Sequence, residues 1–189
     1  MIMLSRADDH WAQQLLDWVL PRAESDTLET KRVSGKMVGK ALETLCAFAN
    51  ARGGWLVLGV EDADKAQGRD RLFGISENAE AVDELLRKLA THHQPAIEGV
   101  RGVRFDTQLR DGSIGAIVAL HVPASDKVHS IVGDGTWTRM DASNREMSAS
   151  EIGELQYQRG TRSATSEPIA VDLRLLDTPA WRDRKSTRL

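Results

Sequence analysis

The sequence predicts a mixed α/β domain, and three observations carry that reading. Residues 36–51 place Val38, Ala41, Leu42, Leu45, Phe48 and Ala49 on one broad apolar face at helical spacing. The run at 55–60, WLVLGV, is apolar without alternation, the pattern of a strand covered on both faces and so central in a sheet. In the second half, Arg110-Asp111-Gly112-Ser113 and Gly133-Asp134-Gly135 each separate two short runs of strand character.

Each element follows in order. Residues 8–20 bring Trp11, Leu15, Trp18 and Val19 to helical spacing before Pro21 stops the run. Residues 28–33 form a short strand. Gly53, just past the helix at 36–51, suits a left-handed terminus. A third helix spans 77–91, striped by Val82, Leu85, Leu86 and Leu89 and closed before Pro95. Strands at 100–107 and 114–122 flank the Asp-Gly turn, and strands at 128–132 and 136–140 make a second hairpin. Ser148-Ala149-Ser150-Glu151 is a capping box that opens a short helix through Gln158. Residues 1–158 therefore read as one domain. Residues 159–189 read as an extension: a linker, a docking arm or the truncated start of a further region.

Composition narrows the classes of function. The chain has 189 residues, long enough for a real core, with 28% charged and 41% hydrophobic residues. A net charge of −3 gives no general basic field, so contact with nucleic acid requires a local patch. The single cysteine, Cys46, excludes a disulfide framework and a multi-cysteine zinc site within one chain. No apolar run approaches the roughly 20 residues that cross a bilayer, and the N-terminus lacks a signal-peptide pattern. The expected setting is cytoplasmic, without a membrane partner.

The chemistry concentrates in ESDTLETKR at 24–32 and in Glu61-Asp62 after the apolar strand. On a strand, Glu29 and Lys31 project to one face. Glu24, Glu29 and Asp62 could gather around a hard divalent cation, Mg²⁺ or Mn²⁺, which prefers oxygen ligands. Lys31 could support a phosphate there, giving the arrangement of a nuclease. The same residues also fit a solvated strand face with an exposed ion pair worth about 0–1 kcal/mol. If the strand persists, Glu61 and Asp62 point to opposite sides, so only one can join Glu29. Lys31, Arg32, Lys36 and Lys40 supply the phosphate-facing patch. Trp137, alternately spaced with Arg139, could stack on a base. Gly35 and Gly39 lie one residue too close for a Walker loop, and Ala41 stands where that loop has Ser or Thr. Trp11, Trp18 and Trp55 fall on apolar faces.

The series ESDTLETKR, LCAFANARGGWLVLGVED and VHSIVGDGTWTRMDASNREMSASEIGEL resembles the Schlafen AlbA_2 domain family across residues 8–158. The resemblance implies an α/β domain with a nucleic-acid-related role. In the family's animal endoribonucleases three acids cut transfer and ribosomal RNA; they correspond to Glu24, Glu29 and Asp62, and Lys31 completes the Glu-x4-Glu-x-Lys motif. RNA rather than DNA is the implied partner, with a non-catalytic nucleic-acid-binding or regulatory module as the alternative. Where the family often has Gly after its Arg-Val pair, this chain has Asp141 after Arg139-Met140, an extra acid that would weaken the phosphate contact expected of Arg139. The animal proteins pair two such lobes in one chain. A single lobe leads to the expectation of a homodimer, whose symmetry could build a groove.

Overall fold

The computed structural model describes residues 3–34 and 36–160. Gly35 and nearly all of the 159–189 extension lie outside the described residues. Strand β1 (Leu4–Arg6) is followed by α1 (Asp9–Val19), β2 (Leu28–Lys31), α2 (Met37–Asn50) and β3 (Gly53–Leu58). Two 3-10 turns, Gly68–Arg71 and Ser76–Asn78, lead into α3 (Ala79–Thr91) and β4 (His93–Gln94). Strands β5 (Arg101–Gln108), β6 (Ile114–Pro123), β7 (Ser130–Ile131), β8 (Trp137–Met140) and β9 (Ser143–Glu146) precede α4 (Ala149–Gln158).

The main sheet has the order β1-β5-β6-β3-β2, parallel at β1–β5 and β2–β3 and antiparallel elsewhere. Strand β3 is interior, hydrogen-bonded on both sides, although β6 holds the middle position. Alternation explains the two cores. Leu56 and Leu58 of β3 face α2 and α3, joining Leu45, Phe48, Val82, Leu85 and Leu89. Val57 faces the other way, joining Leu16 and Val19 of α1 with Phe105 and Ile117. Trp11 and Trp55 cover the rim of that second core, their ring centroids 6.1 Å apart, and remain partly exposed.

The Gly-Gly pair is a packing device. Gly53 has φ +77°, which only glycine adopts without strain, and a Cβ on Gly54 would stand 2.7 Å from the Phe48 ring. Phe48 thus lies directly over the start of β3. Asn50, at the end of α2, donates to the carbonyls of His129 and Trp137 at 2.7 and 2.9 Å, and its side-chain oxygen accepts from the His129 N–H. The Ala-Phe-Ala-Asn…Gly-Gly run therefore rivets the helix to the loops beyond it. Burial pushes the Cys46 thiol up to about 11, and the group is inert in this setting.

The second expected hairpin is corrected. β7 pairs with β4, and the hairpin is formed by β8 with β9 around Asp141, whose φ is +51°. Gly133-Asp134-Gly135 makes a tight local turn instead, closed by Ile131 N–H to the Gly135 carbonyl at 2.8 Å. Aspartate holds this left-handed position, and it is one of the residues that tolerates it. The capping box at Ser148 and Glu151 is present.

Candidate functional site

The site grows from β2, an edge strand of the main sheet. Leu28 and Thr30 face the α1 layer, while Glu29 and Lys31, opposite Leu56 and Leu58 of β3, face the α2 layer. The period-two expectation for Glu29 and Lys31 holds. Its consequence is that Glu29 points away from the layer that Thr30 enters.

Glu29 is 5% exposed and held on both oxygens. Lys31 Nζ lies 2.5 Å from Oε1, and Arg139 Nη2 donates to Oε2 at 2.6 Å. Arg139 has a side chain only 1% exposed. Its guanidinium also donates to the Ser25 carbonyl, the Leu28 carbonyl and Asn144 Oδ1, and it lies 5.2 Å over the Phe48 ring. Asn144 in turn donates to Thr44 Oγ1 at 2.8 Å, so the β8–β9 hairpin is docked on α2 through these contacts. The reading of Arg139 as a phosphate-contacting residue is therefore corrected: the side chain is buried and engaged by the fold. Trp137 is half-buried against the α2-side core, with Lys40 Nζ 5.7 Å from its ring centroid.

Glu24 and Asp62 behave differently. Glu24 Oε1 accepts from both the N–H and the hydroxyl of Thr30, at 3.1 and 3.3 Å, leaving Oε2 without a protein donor among the described residues. Burial raises the Glu24 carboxyl above the ordinary range, and the negative charges of Glu29 and Asp62 add to that. Strand β3 ends at Leu58, and Gly59 with φ +93° turns the chain. The alternation expected for Glu61 and Asp62 does not reach them, so both line the same cleft. Glu61 pairs with Lys65 at 3.2 Å and Arg32 at 3.8 Å, and Asp62 Oδ1 accepts from the Asp64 N–H at 3.1 Å.

The cleft has a volume of about 490 Å³ and is lined by Glu24, Glu61 and Asp62 together with Lys31, Arg32, Lys36, Lys40 and Lys65. The four expected basic residues are thus brought to one wall beside two of the three expected acids, whereas Glu29 does not line it. Arg32 is forked onto Glu77 at 2.5 and 2.7 Å. Lys36 is exposed and makes no ion pair among the described residues.

No group of three or more His, Cys, Asp or Glu side chains is arranged to hold a metal among the described residues. The three-acid ligand set is not assembled, because both Glu29 oxygens are taken by cations. Glu24 and Asp62 each keep one carboxylate oxygen without a protein donor among the described residues. Beneath them lies a residue that the sequence did not single out. Arg71 is 0% exposed, and its guanidinium donates to the carbonyls of Val19, Leu20, Arg22 and Glu61 and to Thr30 Oγ1. Nothing local in Gly68-Arg69-Asp70-Arg71 separates Arg71 from its exposed neighbour Arg69.

Fold and cleft together define a mixed α/β domain with a cleft lined by half-buried Glu24 and Asp62 and by lysine and arginine. The chain belongs to the Schlafen, AlbA_2 family, which matches residues 24–148, and the family is associated with nucleic-acid-related function. Among solved structures it is similar to the DIP2311 protein from Corynebacterium diphtheriae, with a TM-score of 0.50 and 19% identity. That match covers 71% of this chain and 27% of the other, so the chain spans about a quarter of that protein, and the likeness concerns the fold. No curated protein matches the sequence. Among the described residues no helix is long and apolar enough to cross a membrane.

Proposed function

We propose that the cleft binds the phosphodiester backbone of structured RNA, such as transfer RNA, and cleaves it with a divalent cation, Mg²⁺ or Mn²⁺, beside Glu24 and Asp62. The observation that carries this reading is the composition of one cleft wall. Lys31, Arg32, Lys36, Lys40 and Lys65 face a polyanion, while Glu24 and Asp62 lie among them. Acids weaken a site that only attracts phosphate; they suit one that places a cation on it. A bound divalent ion supplies a more acidic water and charge neutralisation at the phosphate. Lys36 and Lys40 anchor the backbone, and Lys31 supports the scissile phosphate while pairing with Glu29. The Glu24 oxygen left free by Thr30 and the second Asp62 oxygen would hold the cation there.

A second reading, a non-catalytic nucleic-acid-binding module, is favoured by one observation: Glu29 is locked between Lys31 and Arg139. Incubating the protein with transfer RNA and Mg²⁺ or Mn²⁺, beside Asp62→Asn and Glu29→Ala, separates the two. Cleavage lost in Asp62→Asn supports the enzyme. Salt-sensitive binding without cleavage, weakened by Lys36→Ala, leaves the binding module. The proposed assembly is a homodimer presenting two clefts to one RNA, and a monomer of 20.9 kDa in sedimentation at high micromolar concentration removes it.

A further inference from the structure

The buried guanidinium of Arg71 has no carboxylate among its hydrogen-bond acceptors, which is unusual for a charge so deeply enclosed. Its acceptors are four carbonyls and one hydroxyl: Glu61 O at 2.7 Å, Val19 O at 3.2 Å, Leu20 O and Arg22 O at 2.9 Å each, and Thr30 Oγ1 at 3.1 Å. A buried cation without an ion pair is costly, and arginine, which stays protonated, cannot escape by losing its proton. Such a group persists where the surrounding structure uses it. Its acceptors show the use. Arg22 lies two residues before Glu24, Thr30 is adjacent to Glu29 and is itself the donor to Glu24, and Glu61 is adjacent to Asp62. The Glu61 segment is held twice, because Glu61 N–H also donates to the Arg71 carbonyl at 2.8 Å.

We infer that Arg71 is a positioning residue for the cleft, clamping from beneath the three chain segments that carry Glu24, Glu29 and Asp62. The planar fork suits this task, since one guanidinium reaches all three segments at once and adds to the single backbone bonds that link them, Ser25 N–H to the Leu28 carbonyl and Gly59 N–H to the Lys31 carbonyl; a lysine ammonium has three donors and no fixed plane. The full charge of Arg71 also acts on Asp62, Glu24 and Glu61 through a low-dielectric interior. It thereby offsets part of the repulsion among the acids without touching any of them. Arg71 is sealed from solvent and contacts neither RNA nor a cation. This inference rests on the proposed function only for its catalytic consequence; the clamp itself is a property of the free protein.

The test compares the wild type with Arg71→Lys, with Thr30→Val, which removes only the hydroxyl relay between Arg71 and Glu24, and with Leu89→Ala, a core truncation in α3 as a control for lost stability. Amide hydrogen exchange is read first, without metal or RNA. The expected result is at least a tenfold loss of protection confined to residues 20–25, 28–31 and 59–64 in Arg71→Lys, and to 20–25 in Thr30→Val. Leu89→Ala should instead lose protection around α3 and the α2-side core. Loss spread evenly over the sheet, or none in the three segments, overturns the inference. Where the wild type cleaves RNA, Arg71→Lys should lower kcat at least tenfold with KM unchanged, and an unchanged kcat overturns it. Where the wild type does not cleave, the proposed function fails while the exchange pattern still decides the clamp. Should Arg71→Lys not fold, Thr30→Val decides by the same pattern.

Discussion

Two arginines are buried on opposite sides of β2, and they do opposite things. Arg139, on the α2 side, meets a carboxylate at 2.6 Å, and its charge is compensated by Glu29 on the spot. Arg71, on the α1 side, meets only neutral oxygens, and its charge is left to act on acids further away. The difference follows from one residue of register. Alternation sends Glu29 to one face and Thr30 to the other, so the three acids are split: Glu29 becomes part of the foundation, and Glu24 with Asp62 borders the cleft. Spacing in a motif sets the face on which a side chain emerges. What waits on that face decides whether it is a reactive group or a structural one.

The largest expected effect breaks the compensated side. Arg139→Met leaves Glu29 buried beside only Lys31 and should cost about 3–5 kcal/mol, the usual penalty for stranding one member of a buried pair. The Glu29→Gln/Arg139→Met double variant should recover more than half of it in urea melts. Additive losses would show that the two side chains do not form an energetic unit.

On the cleft side, saturating Mn²⁺ should raise the melting temperature, at 100 times Kd by the equivalent of about 2.7 kcal/mol. Asp62→Asn should remove that rise and Glu61→Gln should keep it. Equal responses in the two variants would place the cation elsewhere. Glu24 sharpens the contrast further. Its folded carboxyl is raised, chiefly by burial, so it contributes stability below the unfolded value of 4.5 that is lost as pH rises through the folded value. Glu24→Gln should therefore melt a few degrees above the wild type at pH 7, and the gap should close at pH 4. A gap independent of pH would tie the gain to something other than ionisation.

Glu151 carries the smallest effect and the opposite sign. The Arg145 side chain, then the Ser148 N–H, hold its carboxyl down to about 2. Its stabilisation is present above 4.5 and is lost as pH falls through about 2. Amide exchange in α4 should quicken in that acid window in the wild type and show little further change in Glu151→Gln.

The sequence made the helices, the interior strand and the basic wall legible, because each writes its period or its charge into neighbouring residues. It also showed that Glu29 and Lys31 share a face. It did not show what covers that face, since the Arg139 contact spans 110 positions and depends on how the β8–β9 hairpin docks. The misread hairpin has the same origin: Gly133-Asp134-Gly135 is good turn chemistry, but β7 finds its strand in β4, where Ile131 pairs with His93, 38 positions away. Arg71 left no local trace at all. Its acceptors lie 10 to 52 positions away, and only the closed structure makes them neighbours.

The side chains that line β2 have one more consequence, for how the molecule can associate. At the end of the sheet, Arg139 and Ser25 donate to the Leu28 carbonyl and Glu24 accepts from the Thr30 N–H. An exposed strand edge is ordinarily a template on which a second chain can continue the ladder. Here the template is already occupied by the protein's own groups. These contacts oppose continuous-sheet pairing of a dimer through β2. Variants that free this edge should also be the ones that begin to aggregate.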